Sequence, residues 1–84
     1  MTFDEMDLKK KDRLLIGKRL RLARSLQNLH CNELAQQTSI DVTVINDYEK
    51  GRVQISYSKI FRLSIALHVP MDYIFQDLKS DKVH

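Results

Sequence analysis

The stretch from Asn32 to Lys50 constrains this chain most. Its apolar residues fall into two short helical groups, Leu34 with Ala35 and Val44 with Ile45 and Tyr48, parted by a few residues around Ile40. Asp41 is a strong N-cap, because its carboxylate accepts a first-turn N–H that a helix leaves unpaired. Gly51 suits the left-handed position just past a helix C-terminus. These two signals set a helix over 42–50. β-Branched residues there weaken the propensity argument, so the caps carry it. The preceding helix is very short. It starts after His30 or Asn32, with Glu33 at capping-box spacing from His30, and ends near Thr38 or Ser39. Ile40 is the apolar residue of a tight turn over 39–41.

The flanking segments are also helical in period. Over 13–27, Ile16, Leu20 and Ala23 recur on one side, with Leu15, Leu22 and Leu26 as an adjoining stripe. Residues 28–32 form a turn and 52–55 an exposed loop. Ser56 caps a fourth helix that reaches about His68, with Ile60, Leu63 and Leu67 inward. Pro70 fits the first turn of a last short helix holding Met71, Tyr73, Ile74 and Phe75. Only 2 Gly and 1 Pro interrupt the chain, which favours helices over a turn-rich β fold. The expectation is an all-α, compact five-helix domain over 12–78, with a flexible N-terminal arm over 1–11 and a disordered tail over 79–84.

Charge is unevenly placed. The formal net charge is +3, and Lys9, Lys10, Lys11, Arg13, Lys18, Arg19, Arg21 and Arg24 cluster with only Asp12 opposing them. Such a cluster is either a solvated helix face or the electrostatic footprint of a polyanion. Cys31 is the single cysteine, so no disulfide forms within the chain. The N-terminal residues include Asp4, Glu5 and Asp7, unlike a secretory signal, and no apolar run approaches the ~20 residues of a membrane span. A soluble, cytoplasmic protein without membrane contact is expected. There is no Gly-rich phosphate loop, nucleophile–base pair or carboxylate pair suited to a pocket, so neither catalysis nor a cofactor is expected. His30, Cys31 and His68 have no metal-ligand spacing.

Two short helices with a tight turn have helix-turn-helix geometry, in which the second helix enters the DNA major groove. A plain helical hairpin in a bundle has the same spacing. Sequence resemblance favours the first. Leu29 to Ala35, L-H-C-N-E-L-A, resembles the L-S-Q-x-E-L-A of the Cro/Xre-type regulators and phage repressors. Ile45 to Gly51, I-N-D-Y-E-K-G, is similar to that family's I-S-x-[IY]-E-x-G. Ile60 to Val69 resembles its L-x-x-I-A-x-A-L-x-V, except at Ser64 and Ile65. Ile16 to Arg21 with Arg24 resembles its first helix, I-G-x-R-[IL]-R-x-x-R. The run Tyr48 to Arg52, followed by Ile55-Ser56 and Val69-Pro70, is most similar to members from α-proteobacteria.

The resemblance implies a DNA-binding transcriptional regulator, a homodimeric repressor on a palindromic operator in double-stranded DNA. Base reading is implied for Val42, Thr43, Asn46 and Asp47. Thr43 can hydrogen-bond a base or pack its methyl against thymine, Asn46 can read adenine through two bonds, Val42 offers apolar contact to a thymine methyl, and Asp47 accepts from cytosine. Phosphate contacts are implied for His30 and Cys31 at the second helix's N-terminus, and for Lys50, Arg52 and Gln54. The family's Gln is replaced here by Cys31, which removes one side-chain clamp. Cys31 is either a plain thiol or a redox-sensitive one, since a helix N-terminus lowers a thiol pKa. Arg24 and Glu49 match a family ion pair. A twofold contact is expected near the last helix, from Met71, Ile74 and Phe75 with Phe61 and Ile65. Tyr57, Phe61 and Ile65 could equally cover that helix. Val42 and Asp47 at reading positions keep a second function open: a protein-interaction module, such as an antitoxin or anti-repressor partner, with weak DNA binding or none.

Overall fold

The computed structural model describes residues 4–79. The expected arm and tail residues 1–3 and 80–84 lie outside the described residues. Five helices follow in order: α1 Lys10–Leu26, α2 Cys31–Thr38, α3 Val42–Glu49, α4 Tyr57–Leu67 and α5 Met71–Phe75. Ile16, Leu20 and Ala23 of α1, Leu34 of α2, Ile45 and Tyr48 of α3, Ile60, Leu63 and Leu67 of α4, and Ile74 of α5 bury together with Ile40 and Ile55. Among the described residues no helix is long and apolar enough to cross a membrane.

The helix ends follow local chemistry. The Asp41 carboxylate accepts the Thr43 N–H at 2.9 Å, and Ser56 Oγ accepts the Lys59 N–H at 3.2 Å. The His30 N–H donates to Glu33 Oε1 at 2.7 Å, so the capping-box carboxylate is engaged. Pro70 sits at the N-cap of α5 rather than inside its first turn. Gly51 follows α3 with φ +68°. Elsewhere the chain leaves its helices through non-glycine left-handed residues: Asn28 after α1, Ser39 after α2 and His68 after α4. Each costs on the order of 1 kcal/mol relative to glycine.

The segment expected as a flexible arm has fixed partners. Residues 4–9 lie against the loop between α3 and α4. Met6 is 4% exposed and its N–H donates to Ile55 O at 2.9 Å. Leu8 and Gln54 exchange two bonds, Leu8 N–H to Gln54 Oε1 at 2.9 Å and Gln54 Nε2 to Leu8 O at 2.8 Å. Asp4 accepts from the Ser58 N–H at 3.0 Å, from Ser58 Oγ at 2.7 Å and from Ser56 Oγ. These hydroxyl and amide donors, those of Ser56 first, hold the Asp4 carboxyl below its ordinary pKa. The segment lies against the loop residue Ile55, whose side chain is fully buried. Met6→Ala is expected to lose about 2 kcal/mol, the low end for a truncated buried side chain, as a lower urea midpoint at unchanged slope. An unchanged midpoint would show that the segment is not packed in solution.

Three arginines of the basic cluster are structural. Arg13 donates to Gly51 O at 3.2 Å and Leu8 O at 2.9 Å. Arg19 donates to Ile74 O at 3.1 Å and to Gln76 O, and lies 5.9 Å from the centre of the Tyr73 ring. Arg24 is spent on α3, as described below. The stripe Leu15, Leu22 and Leu26 also divides: Leu15 is half-buried, whereas Leu22 and Leu26 are exposed.

Candidate nucleic-acid interface

Helix α3 is too short to hold a fixed direction by itself, because isolated helices of under ~12 residues are marginal in water. Its orientation comes from three attachments. First, Ile45 and Tyr48 are buried in the core. Second, α1 runs close against the end of α3 at Gly17, where an added Cβ would lie 2.4 Å from Tyr48 O and 2.5 Å from Glu49 O. Third, the Arg24 guanidinium grips the Glu49 carboxylate with two parallel bonds, Nε to Oε2 at 2.7 Å and Nη2 to Oε1 at 2.9 Å. Its remaining terminal nitrogen donates to Leu29 O at 2.9 Å. One side chain thus joins the end of α1, the turn before α2 and the end of α3. Arg24 and Glu49 side chains are only 16% and 7% exposed. Charge-assisted bidentate geometry of this kind fixes angle as well as distance.

With Ile45 and Tyr48 inward, α3 turns its other side to solvent. Thr43 and Asn46 are exposed there, Val42 and Asp47 half-buried beside them. Residues 42, 46 and 50 follow one helical row and 43 and 47 the next, so the four expected base-reading positions and Lys50 share a face. Lys50 and Arg52 are exposed at its C-terminal edge. Asp47 Oδ1 lies 3.6 Å from Arg52 Nη1, so the one acidic group on this face has a cation beside it. An ion pair as exposed as this adds little stability, but it offsets charge that would repel a phosphate. At the start of α2, His30 is exposed and Cys31 half-buried. Cys31 Sγ lies 3.3 Å from Asn46 Oδ1, which brings the first turn of α2 to the middle of the α3 face.

Several expected site residues are placed differently. The Gln54 carboxamide is held at both its oxygen and its nitrogen by Leu8, so it is a tether for residues 4–9 rather than a ready phosphate ligand. The His30 N–H is taken by Glu33 and the Glu33 N–H by the His30 side chain, which leaves the amides of Cys31 and Asn32 as the donors of that turn. Burial, with Glu49 second, pushes the Cys31 thiol pKa up, against the lowering expected from a helix N-terminus. Ile74 is fully buried within the chain, so it cannot form a twofold contact. Met71 and Phe75 are partly buried against the same core. Phe61 and Ile65 are 54% and 59% exposed, and Tyr57 beside them is also open. Sequence reasoning missed Arg19 and Gln27, whose side chains pin α5 and the end of α4; Gln27 Nε2 donates to Leu67 O at 2.6 Å. Nothing in their spacing distinguishes them from other surface residues.

Residues 18–74 match the model of the Helix-turn-helix family. The chain belongs to this family, of the Cro/Xre type. Among its relatives, a transcriptional regulator encoded in the ATPase CF(0) region of Rhodospirillum rubrum is 38% identical over 64 residues, 76% of this chain and 59% of that protein. An HTH-type transcriptional regulator of Sinorhizobium medicae is 30% identical over 66 residues, 79% of this chain and 48% of that one. The chain therefore spans about half the length of such relatives. Among solved structures, the restriction-modification controller protein C.AhdI from Aeromonas hydrophila superposes with a TM-score of 0.74 at 28% identity, covering 77% of this chain and 98% of its own. The P22 c2 repressor, solved in complex with a synthetic operator, gives 0.68 at 25% identity, covering 80% and 97%.

Proposed function

We propose that this helix-turn-helix chain is a sequence-specific, DNA-binding transcriptional regulator that works as a dimeric repressor on a palindromic operator, in the cytoplasm. The observation that carries the reading is the solvent face of α3. Thr43 and Asn46 stand exposed on a helix whose inner face and C-terminal end are locked to α1, with Lys50 and Arg52 at the rim. A helix so held can enter a major groove as a rigid element and present hydrogen-bonding groups to base edges, while the cations at its end meet the backbone. No residue is assigned a chemical step. The P22 c2 repressor, solved with a synthetic operator, and the two regulators named above support the same task here.

Phosphate binding and base reading separate by salt. Titration of duplex DNA at two salt concentrations is expected to give Kd values that rise steeply with salt. Arg52→Ala and Lys50→Ala each flatten the slope of log K against log[salt] by about 0.9 for every phosphate that is no longer neutralised, on all duplexes alike. Thr43→Ala and Asn46→Ala instead cost roughly 1–3 kcal/mol on the preferred site only. Binding that is absent even at low salt would transfer the α3 face to a protein partner, the reading that Val42 and Asp47 favour.

For the dimer, the exposed α4 residues Phe61 and Ile65 supply the contact, with Met71 and Phe75 at its margin and without Ile74. Two protomers would set their α3 helices ~34 Å apart, one turn of DNA. Sedimentation velocity is expected to show a dimer at micromolar concentration that Phe61→Asp with Ile65→Asp converts to a folded monomer. A wild-type monomer, alone and on DNA, would contradict this.

A further inference from the structure

We propose that Cys31 positions Asn46 as a hydrogen-bond donor, so that this residue selects guanine rather than adenine in the operator. The inference rests on the reading of α3 as the recognition helix and adds what one position of that helix recognises.

A free asparagine carboxamide has a donor and an acceptor, and pairs both with adenine, its nitrogen to N7 and its oxygen to the N6 amino group. Here the oxygen is engaged. Cys31 Sγ lies 3.3 Å from Asn46 Oδ1, within reach of an S–H donor. The contact is rigidly framed. Arg24 binds Leu29 O, two residues before Cys31, and the Glu49 carboxylate, three residues after Asn46. The same guanidinium therefore ties the turn before α2 to the end of α3, the two elements that carry the thiol and the amide. Partial burial raises the thiol pKa, so the sulfur keeps its proton near neutral pH and remains a donor. With Oδ1 turned toward the first turn of α2, Nδ2 is the group left for the groove. Guanine offers it two acceptors, O6 and N7. Adenine offers only N7 unless the oxygen also faces it, and thymine only O4. Cys31 is thus a positioning residue: it touches no base and acts by fixing which end of Asn46 does.

The test is a selection of bound sites from randomised duplexes, followed by titration of all four bases at the position whose preference disappears in Asn46→Ala. The wild type is expected to favour guanine over adenine there by about tenfold, the effect of one good base-edge contact. Cys31→Ala frees the carboxamide and is expected to reverse the preference toward adenine. Cys31→Ser retains a donor and is expected to restore guanine. Circular-dichroism melts of each variant confirm that the compared proteins are folded. An unchanged guanine-to-adenine ratio in Cys31→Ala overturns the proposal and leaves DNA reading by α3 intact. So does an Asn46→Ala protein with every base preference retained while Thr43→Ala loses one. A wild type that binds no duplex at low salt overturns this inference together with the proposed function.

Discussion

Gly17→Ala is expected to destabilise the domain by roughly 2–4 kcal/mol, at or above the usual range for overpacking, although alanine is the better helix former. Two effects oppose each other. In an exposed helix interior the exchange would gain about 1 kcal/mol of helix propensity. At this position the new methyl would lie 2.4 Å from Tyr48 O, 2.5 Å from Glu49 O and 2.8 Å from the Glu49 carbonyl carbon. Those atoms are backbone at the end of α3 and cannot rotate away, so α1 and α3 must separate. Separation loosens the packing of Ile16, Leu20 and Ile45 and lengthens the Arg24–Glu49 bonds. The clash therefore outweighs the propensity gain. For a chain of this size the total stability is on the order of 4–13 kcal/mol, so the variant approaches unfolding. Urea denaturation measures it directly. A Gly17→Ala protein as stable as the wild type, or more so, would show that α1 and α3 do not approach as described.

The second large effect is at Glu49. Removing its carboxylate leaves the Arg24 guanidinium, 16% exposed, without the partner that takes two of its bonds. Breaking one side of a buried pair costs about 3–5 kcal/mol, because a desolvated charge is stranded. Glu49→Ala is expected near the lower figure, since Leu29 O still accepts from Nη1. Arg24→Ala strands a carboxylate that is only 7% exposed but, unlike a guanidinium, can take up a proton and become neutral, and is expected to cost less. The double variant is expected to be more stable than the sum of the two losses predicts, giving a coupling of about 1–3 kcal/mol for residues in contact. Additive losses would mean that the two side chains act independently. Because the pair sets the angle of α3, the same variants are also expected to lose operator preference at temperatures where they remain folded.

Much of this arrangement is legible in the residues because the signals are local. Asp41 and Gly51 bracket α3, Ser56 opens α4, and the spacing of Ile16, Leu20 and Ala23 marks the buried side of α1 without reference to anything distant. What stays hidden depends on partners far along the chain. Met6 and Leu8 alternate over too few residues to mark a packed segment, and their partners Ile55 and Gln54 lie almost fifty residues away. Arg13, Arg19 and Arg24 look alike in sequence, as parts of one basic face. Only the fold shows that each donates to a backbone carbonyl and that Lys9, Lys10, Lys11, Lys18 and Arg21 are the cations of the cluster left exposed. The apolar residues of α4 and α5 divide the same way. Ile74 and Phe61 are equally hydrophobic, yet one closes the core and the other faces solvent. The α3 face itself is legible by period, but its chemistry is not. Contacts from Cys31 to Asn46 and from Arg52 to Asp47 cross a turn and a helix end, and spacing alone does not reveal them.

Whether the solvent face of α3 meets DNA is tested most directly by amide chemical-shift mapping. A ¹⁵N-labelled chain is titrated with the duplex it prefers from a randomised pool, and each residue is read separately. The largest shifts are expected at Thr43, Asn46 and Asp47, with Cys31, Asn32, Lys50 and Arg52 around them and small changes along the buried face at Ile45 and Tyr48. Shifts confined to α1 and the N-terminal lysines, with α3 unmoved at saturating duplex, would contradict DNA reading by α3.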